Sequence, residues 1–145
     1  MKKGIDYIGV GVGAIILDKK GRALLAKRGE KAYNEKGKWS YPGGGLKFGE
    51  TFEDCARREM REEFNIVVEP VAQLESVNHL IPKDKQHWVA IAFVCKIVKG
   101  KPKIAEPEKE EKIGWFTINE TEKLPLTTIA KIRLRQLKEK YPNGL

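Results

Sequence analysis

Residues 44–66 read GGLKFGETFEDCARREMREEFNI, a glycine-rich loop running into an amphipathic segment that ends in clustered glutamates. Gly43, Gly44, Gly45 and Gly49 crowd the loop. Glycine tolerates positive φ and lets the backbone come close to a ligand. Thr51 is a good N-cap residue, and Asp54 stands where a capping box usually has Glu or Gln. A helix is predicted over 51–64, with Asn65 in the position where a left-handed residue often ends one.

On a wheel of about 100° per residue, Phe52, Cys55 and Ala56 form the apolar, inward side. Glu59 and Glu63 fall on that same side, one turn apart. Asp54, Arg57 and Arg61 point to solvent, and Glu62 lies at the edge, four residues from Arg58 and able to pair with it. A solvated helix would carry its acids outwards. Ionised carboxylates that leave water need a partner. A divalent cation such as Mg²⁺, which takes hard oxygen ligands, would serve. So would a lysine or arginine from a neighbouring element, and the helix alone leaves both open.

The chain has 145 residues, the size of one domain with a full core. Charged residues make up 33% and apolar ones 41%, as in a soluble globular protein. No apolar run approaches the ~20 residues of a membrane span. The opening MKKGIDYIGV lacks the uninterrupted apolar stretch of a signal peptide. Cys55 and Cys95 lie in unrelated elements with no metal spacing, and read as reduced core residues of a cytoplasmic protein. The net charge of +8 is spread along the chain without aromatic interleaving, so nucleic acid is not the expected partner. A small anionic substrate is served equally well.

Residues 7–17, YIGVGVGAIIL, read as a buried strand, 18–21 as a hairpin turn and 22–28 as a returning strand. A polar loop over 29–37 and a short strand over 38–41 lead to Pro42 and the glycines. After the helix, 67–80 is a strand or pair of strands, 81–86 a turn containing Pro82, and 87–98 the longest strand. Residues 100–112 form a charged loop, 113–117 a short strand, and 126–140 an amphipathic helix with Ile129, Ile132, Leu134 and Leu137 apolar. Both helices need a sheet face to cover, which predicts an α/β fold with a mixed sheet between helices.

The spacing over 44–66 resembles the Nudix box, G-x5-E-x7-R-E-U-x-E-E-x-G-U with U a bulky apolar residue. Gly44, Glu50, Arg58, Glu59, Met60, Glu62, Glu63 and Ile66 match, and Asn65 replaces the last glycine. Asn is tolerant of a left-handed conformation, so the turn is expected to survive. The segments GVGVGAII, YPGGGLKFGET, HWVAIAFV and EPEKEEKIGWF are similar to Nudix hydrolases acting on nucleoside triphosphates. The resemblance implies a single Nudix domain over residues 1–145, an α/β/α sandwich with a central mixed β-sheet, and a homodimer as the expected assembly.

It also implies roles. Glu59 and Glu63 are expected to hold Mg²⁺, or Mn²⁺, beside Gly44, with Glu62 completing or orienting the shell; Glu62 and Glu63 are the catalytic pair within the box. Gly43, Gly44 and Glu50 are expected against the substrate, and Arg58 to hold Glu62. In many Nudix enzymes the general base is a glutamate outside the box. Glu106, Glu108, Glu110 and Glu111 are candidates; Glu108 and Glu111 are favoured. Lys109 and Arg28 are phosphate-binding candidates, although Arg28 also reads as an edge-strand surface charge. His87 is the candidate at the border of a nucleobase pocket, with a hydrogen-bonded structural role as its alternative. Of Trp39, Trp88 and Trp115, at least two are expected in the core.

Three functions fit this reading. The first is a nucleoside triphosphate diphosphatase, giving a monophosphate and pyrophosphate. The second is an ADP-ribose pyrophosphatase, giving AMP and ribose 5-phosphate; Pro82, sixteen residues past the box, is its one weak signal. The third is a non-catalytic nucleotide-sensing or RNA-binding module on the same fold, against which the intact set of acids argues.

Overall fold

The computed structural model describes residues 1–32 and 34–145; position 33, inside the expected polar loop, lies outside the described residues. Two sheets lie between helices. The larger holds β4 (Gly43–Gly45), β1 (Gly9–Ile16), β7 (Gln86–Lys99) and β5 (Val67–Gln73) in that order, with β6 (Val77–Ile81) also pairing β7. The smaller is β3 (Trp39–Ser40), β2 (Ala23–Arg28) and β8 (Glu110–Phe116). Among the described residues, three α-helices, α1 (Phe52–Phe64), α2 (Ile118–Glu122) and α3 (Thr128–Lys140), and a 3-10 turn at Pro82–Asp84 complete the fold.

The larger sheet is mixed. β1 runs parallel to β7, from Gly9 opposite Trp88 to Ile16 opposite Cys95, while β4, β5 and β6 pair antiparallel. The turn at 18–21 is present, held by bonds from the Lys20 and Arg22 amides to Asp18. Its flanking strands do not form one hairpin, however. β1 and β2 enter different sheets, meeting at the bridge between Leu17 and Ala23. Local turn chemistry was legible there, and the partner of each strand was set by distant segments.

Side-chain alternation divides the interior. Val12, Ala14 and Ile16 of β1, with Leu24 and Ala26 of β2, pack against Cys55, Ala56, Met60 and Phe64 of α1. Ile15, Ala23 and Leu25 point the other way, to Ala130, Leu134 and Leu137 of α3. The helices therefore cover opposite faces, as the period-two pattern of strands requires. Fully burying one such aliphatic side chain stabilises by about 1.5–3 kcal/mol.

α1 begins where predicted. Thr51 Oγ1 accepts from the Asp54 amide, and Asn65 ends the helix at φ 56°, ψ 42°. Asp54 does not complete a capping box; its carboxylate pairs with Arg57 at 3.0 Å. Phe52 is a correction: it is 37% exposed and belongs to neither core cluster. α2 and the early start of β8 at Glu110 were not expected. Thr117 and Glu120 form a full capping box that starts α2. α3 buries Arg133 with Ala130, Leu134 and Leu137, while Ile129 and Ile132 are only half-buried.

Candidate functional site

A cleft of about 780 Å³ opens across β1 and β4, and residues of β2, β7, β8, α1 and α3 also line it. Glu59 and Glu63 of α1 reach it from below, 9% and 4% exposed. Gly44 pairs with Val12 at the sheet edge, and a Cβ there would overlap the Glu59 carboxylate. Glycine at this position is what lets the acid lie against the strand.

Arg58 organises the loop around that acid. Its Nε and Nη2 donate to the two oxygens of Glu50 at 2.6 and 2.9 Å, its Nη1 to Glu59 at 2.7 Å and to Glu62 at 3.2 Å, and Nη2 also to the Gly45 carbonyl at 2.9 Å. The expected Arg58–Glu62 pair is thus the outermost of several bonds. Glu50, expected against substrate, is instead held at both oxygens by Arg58, with the Lys47 amide also donating at 2.8 Å. That grip lowers its pKa to about 2 and raises that of Arg58. Glu62 is half exposed at the solvent edge of the helix and does not line the cleft.

Glu63 stands in a different field. Burial raises its pKa, and the charges of Glu110, Glu59 and Glu106 raise it further. Burial also raises that of Glu110, with Glu106 adding to it. Each of these two acids acts on the proton affinity of the other. Each has a buried Oε2 with no hydrogen-bond partner among the described residues. Buried carboxylates left unmet are unfavourable; Lys109 offsets part of the shift on both acids and Arg28 part of that on Glu110.

The segment before β8 is fixed to the end of α1. The amides of Lys103 and Ala105 donate to the carbonyls of Phe64 and Glu63 at 3.0 and 2.9 Å. The pairing of β2 with β8 then shifts: Arg28 faces Glu110, yet Lys27 faces Lys112. Glu111 is the extra residue of this bulge. A bulge re-aims neighbouring side chains, and here it turns Glu110 inwards. Glu111, favoured as a base from the sequence, is removed from the cleft and pairs with Lys27 at 3.6 Å, about half exposed. Glu108 and Lys109 line the cleft mouth but are exposed, and Lys109 pairs with Glu106 at 3.1 Å.

Arg28 lines the cleft, its Nε donating to the Asn34 carbonyl at 3.0 Å. Burial lowers its pKa, and the charges of Glu35, Glu110 and Glu63 oppose the shift. His87 takes its hydrogen-bonded structural role and not a place at the pocket border. Its Nε2 lies 2.5 Å from Asn78 Oδ1, outside the cleft, because it alternates with Gln86 and Trp88, which line it. His79 lines the cleft instead, and burial lowers its pKa. Trp88 is the tryptophan on the cleft wall; Trp39 packs edge-on against Phe116 at 5.1 Å, and Trp115 lies against the core. Glu106, one of the sequence candidates, also acts on this region; Glu35 and Arg133 line it as well, and no motif in the sequence singles those two out.

The side chains suit a hard divalent cation. They offer carboxylate oxygens, two of them buried without a donor, beneath a glycine that leaves room. As they stand, no three acid, histidine or cysteine side chains among the described residues converge on one point. Glu59 is drawn to Arg58 through Oε1, so an ion would compete with that bond.

A family model of the NUDIX domain matches residues 8–137. Over 96 residues the chain is 35% identical to an uncharacterised Nudix hydrolase of Bacillus subtilis, covering 63% of this chain and 58% of the relative. Over 109 residues it is 28% identical to an ADP-ribose pyrophosphatase of Methanocaldococcus jannaschii, covering 75% and 62%. The chain thus spans less than two thirds of the length of either curated relative. Among solved structures, a MutT NUDIX hydrolase from Burkholderia pseudomallei superposes with a TM-score of 0.82 at 36% identity, covering 91% of this chain and 99% of that one. With the domain match running nearly end to end over a sandwich whose glycine loop and glutamate helix are in place, the chain belongs to the Nudix family.

Proposed function

We propose that the chain is a divalent-metal-dependent hydrolase of a nucleotide pyrophosphate linkage, taking a nucleoside triphosphate to the monophosphate and pyrophosphate. The observation that carries this reading is the buried pair Glu63 and Glu110, each with an oxygen that finds no donor. Glu59 and Glu63 would hold the cation, Mg²⁺ or Mn²⁺, beside Gly44; Glu62, outside the cleft, would act only through its bond to Arg58. Bound there, it would neutralise phosphate charge and acidify a water.

The chain's own residues supply the rest. Arg58 holds Glu50 and orients Glu59, a positioning role. Arg28 offers its terminal guanidinium nitrogens to a phosphoryl oxygen, and Lys109 adds a cation at the mouth; both stabilise charge that grows on the leaving group. Glu110 is the general base: its raised proton affinity suits it to accept a proton from the attacking water. Glu106 strengthens that affinity by repulsion.

The likeness to an ADP-ribose pyrophosphatase supports a second reading, with ADP-ribose as substrate. A panel of nucleotides with Mg²⁺ separates the two. Pyrophosphate released from triphosphates selects the first, and ribose 5-phosphate from ADP-ribose the second. Binding without turnover of any pyrophosphate compound would leave a nucleotide-sensing module.

A further inference from the structure

The cleft also holds an acid to which hydrolysis gives no task. Glu35 lines the cleft in a left-handed conformation, φ 50°. Its Oε1 accepts from the Thr128 amide at 2.9 Å and from the Thr128 hydroxyl at 2.8 Å. These bonds fix the carboxylate at the start of α3. Its Oε2 accepts no hydrogen bond among the described residues. Arg28 and His79 lie within reach of its charge.

The cleft lining is mostly apolar, including Ile15, Ile81, Trp88, Ala92 and Ile129. A flat apolar group fits there, tethered at one end by its phosphates. Its far edge then meets an oxygen that can only accept. In the free protein that oxygen is open to water, and a base laid over it without bringing a donor would leave it unmet at a cost, so the cleft should reject a group whose edge brings none.

On the reading of the substrate as a nucleotide, we propose that Glu35 is a specificity-determining residue at the base end of the cleft, its Oε2 accepting a hydrogen bond from an exocyclic amino group of the nucleobase. Bases that carry the amine are preferred over analogues that lack it.

Two pairs of compounds isolate that group. GTP and ITP differ only in the 2-amino group, ATP and purine riboside triphosphate only in the 6-amino group. Dissociation constants are measured by calorimetry, with Ca²⁺ in place of Mg²⁺ to keep turnover low. In at least one pair the amino-bearing member is expected to bind about tenfold tighter or more. Glu35→Gln is expected to bring that ratio within about threefold: the amide oxygen still caps Thr128, while its N–H₂ meets the amine donor to donor. Unchanged melting and unchanged binding of the amine-free analogue separate lost recognition from a damaged helix start. Both ratios within about threefold in the unaltered protein, or a ratio that survives Glu35→Gln, would overturn the proposal, as would a failure of all four compounds to bind. A selective but catalytically inert protein would sustain Glu35 and defeat the hydrolase reading instead.

Discussion

Glu63 sits 4% exposed among other acids, with one oxygen unmet. Glu63→Gln removes a buried charge and keeps the shape. It should raise the melting temperature of the metal-free protein while lowering turnover by about 100-fold or more. A variant with near-normal rates would remove Glu63 from the metal site. The pH dependence follows from the same crowding. An acid whose pKa is higher in the folded chain binds its proton more tightly there. Its contribution to stability is full below the ordinary carboxyl value of 4.5 and is lost as pH rises towards the raised values of Glu63 and Glu110. In EDTA, melting temperature should therefore fall as pH rises through neutrality, and Glu63→Gln should flatten that slope. Glu50 behaves oppositely: its contribution is present above 4.5 and lost as pH falls towards about 2.

At the scale of elements, the bulge between β2 and β8 chooses which glutamate of the EPEKEE run enters the cleft. Glu110→Gln should cost about 100-fold in kcat, and Glu108→Gln and Glu111→Gln less than about threefold. Equal losses for all three in steady-state assays would mean that the run acts as a diffuse acidic surface. This is also where the sequence stops being legible. α1 could be read because its cap, its left-handed stop and its inward acids are local, set by spacing along one helix. Glu110 could not, because a one-residue bulge moves a side chain to the opposite face, and that bulge depends on register with β2. That His79 lines the cleft and His87 does not was illegible for the same reason. Each lies on a strand whose facing is fixed by its partners, not by its own neighbours. Arg58 was half legible: its bond to Glu62 follows from helical spacing, while its stronger grip on Glu50 needs the folded loop.

At the scale of the molecule, two cores on opposite faces of the sheets leave a cleft lined by residues of both sheets. Arg133, 3% exposed, closes its far side by donating to the Glu75 carbonyl at 2.7 Å and the Ala90 carbonyl at 2.9 Å. Among the described residues no helix is long and apolar enough to cross a membrane. The division of β1 and β2 between sheets has a mechanical consequence. Their junction is the 18–21 turn, where the Asp18 amide donates to the Arg22 carbonyl at 2.9 Å. A bound nucleotide touching both sheets would brace them like a keystone, and the junction would then breathe less. Deuterium uptake at the Asp18 amide should slow when nucleotide and metal saturate the cleft; unchanged uptake would mean that the two halves are already locked without a guest.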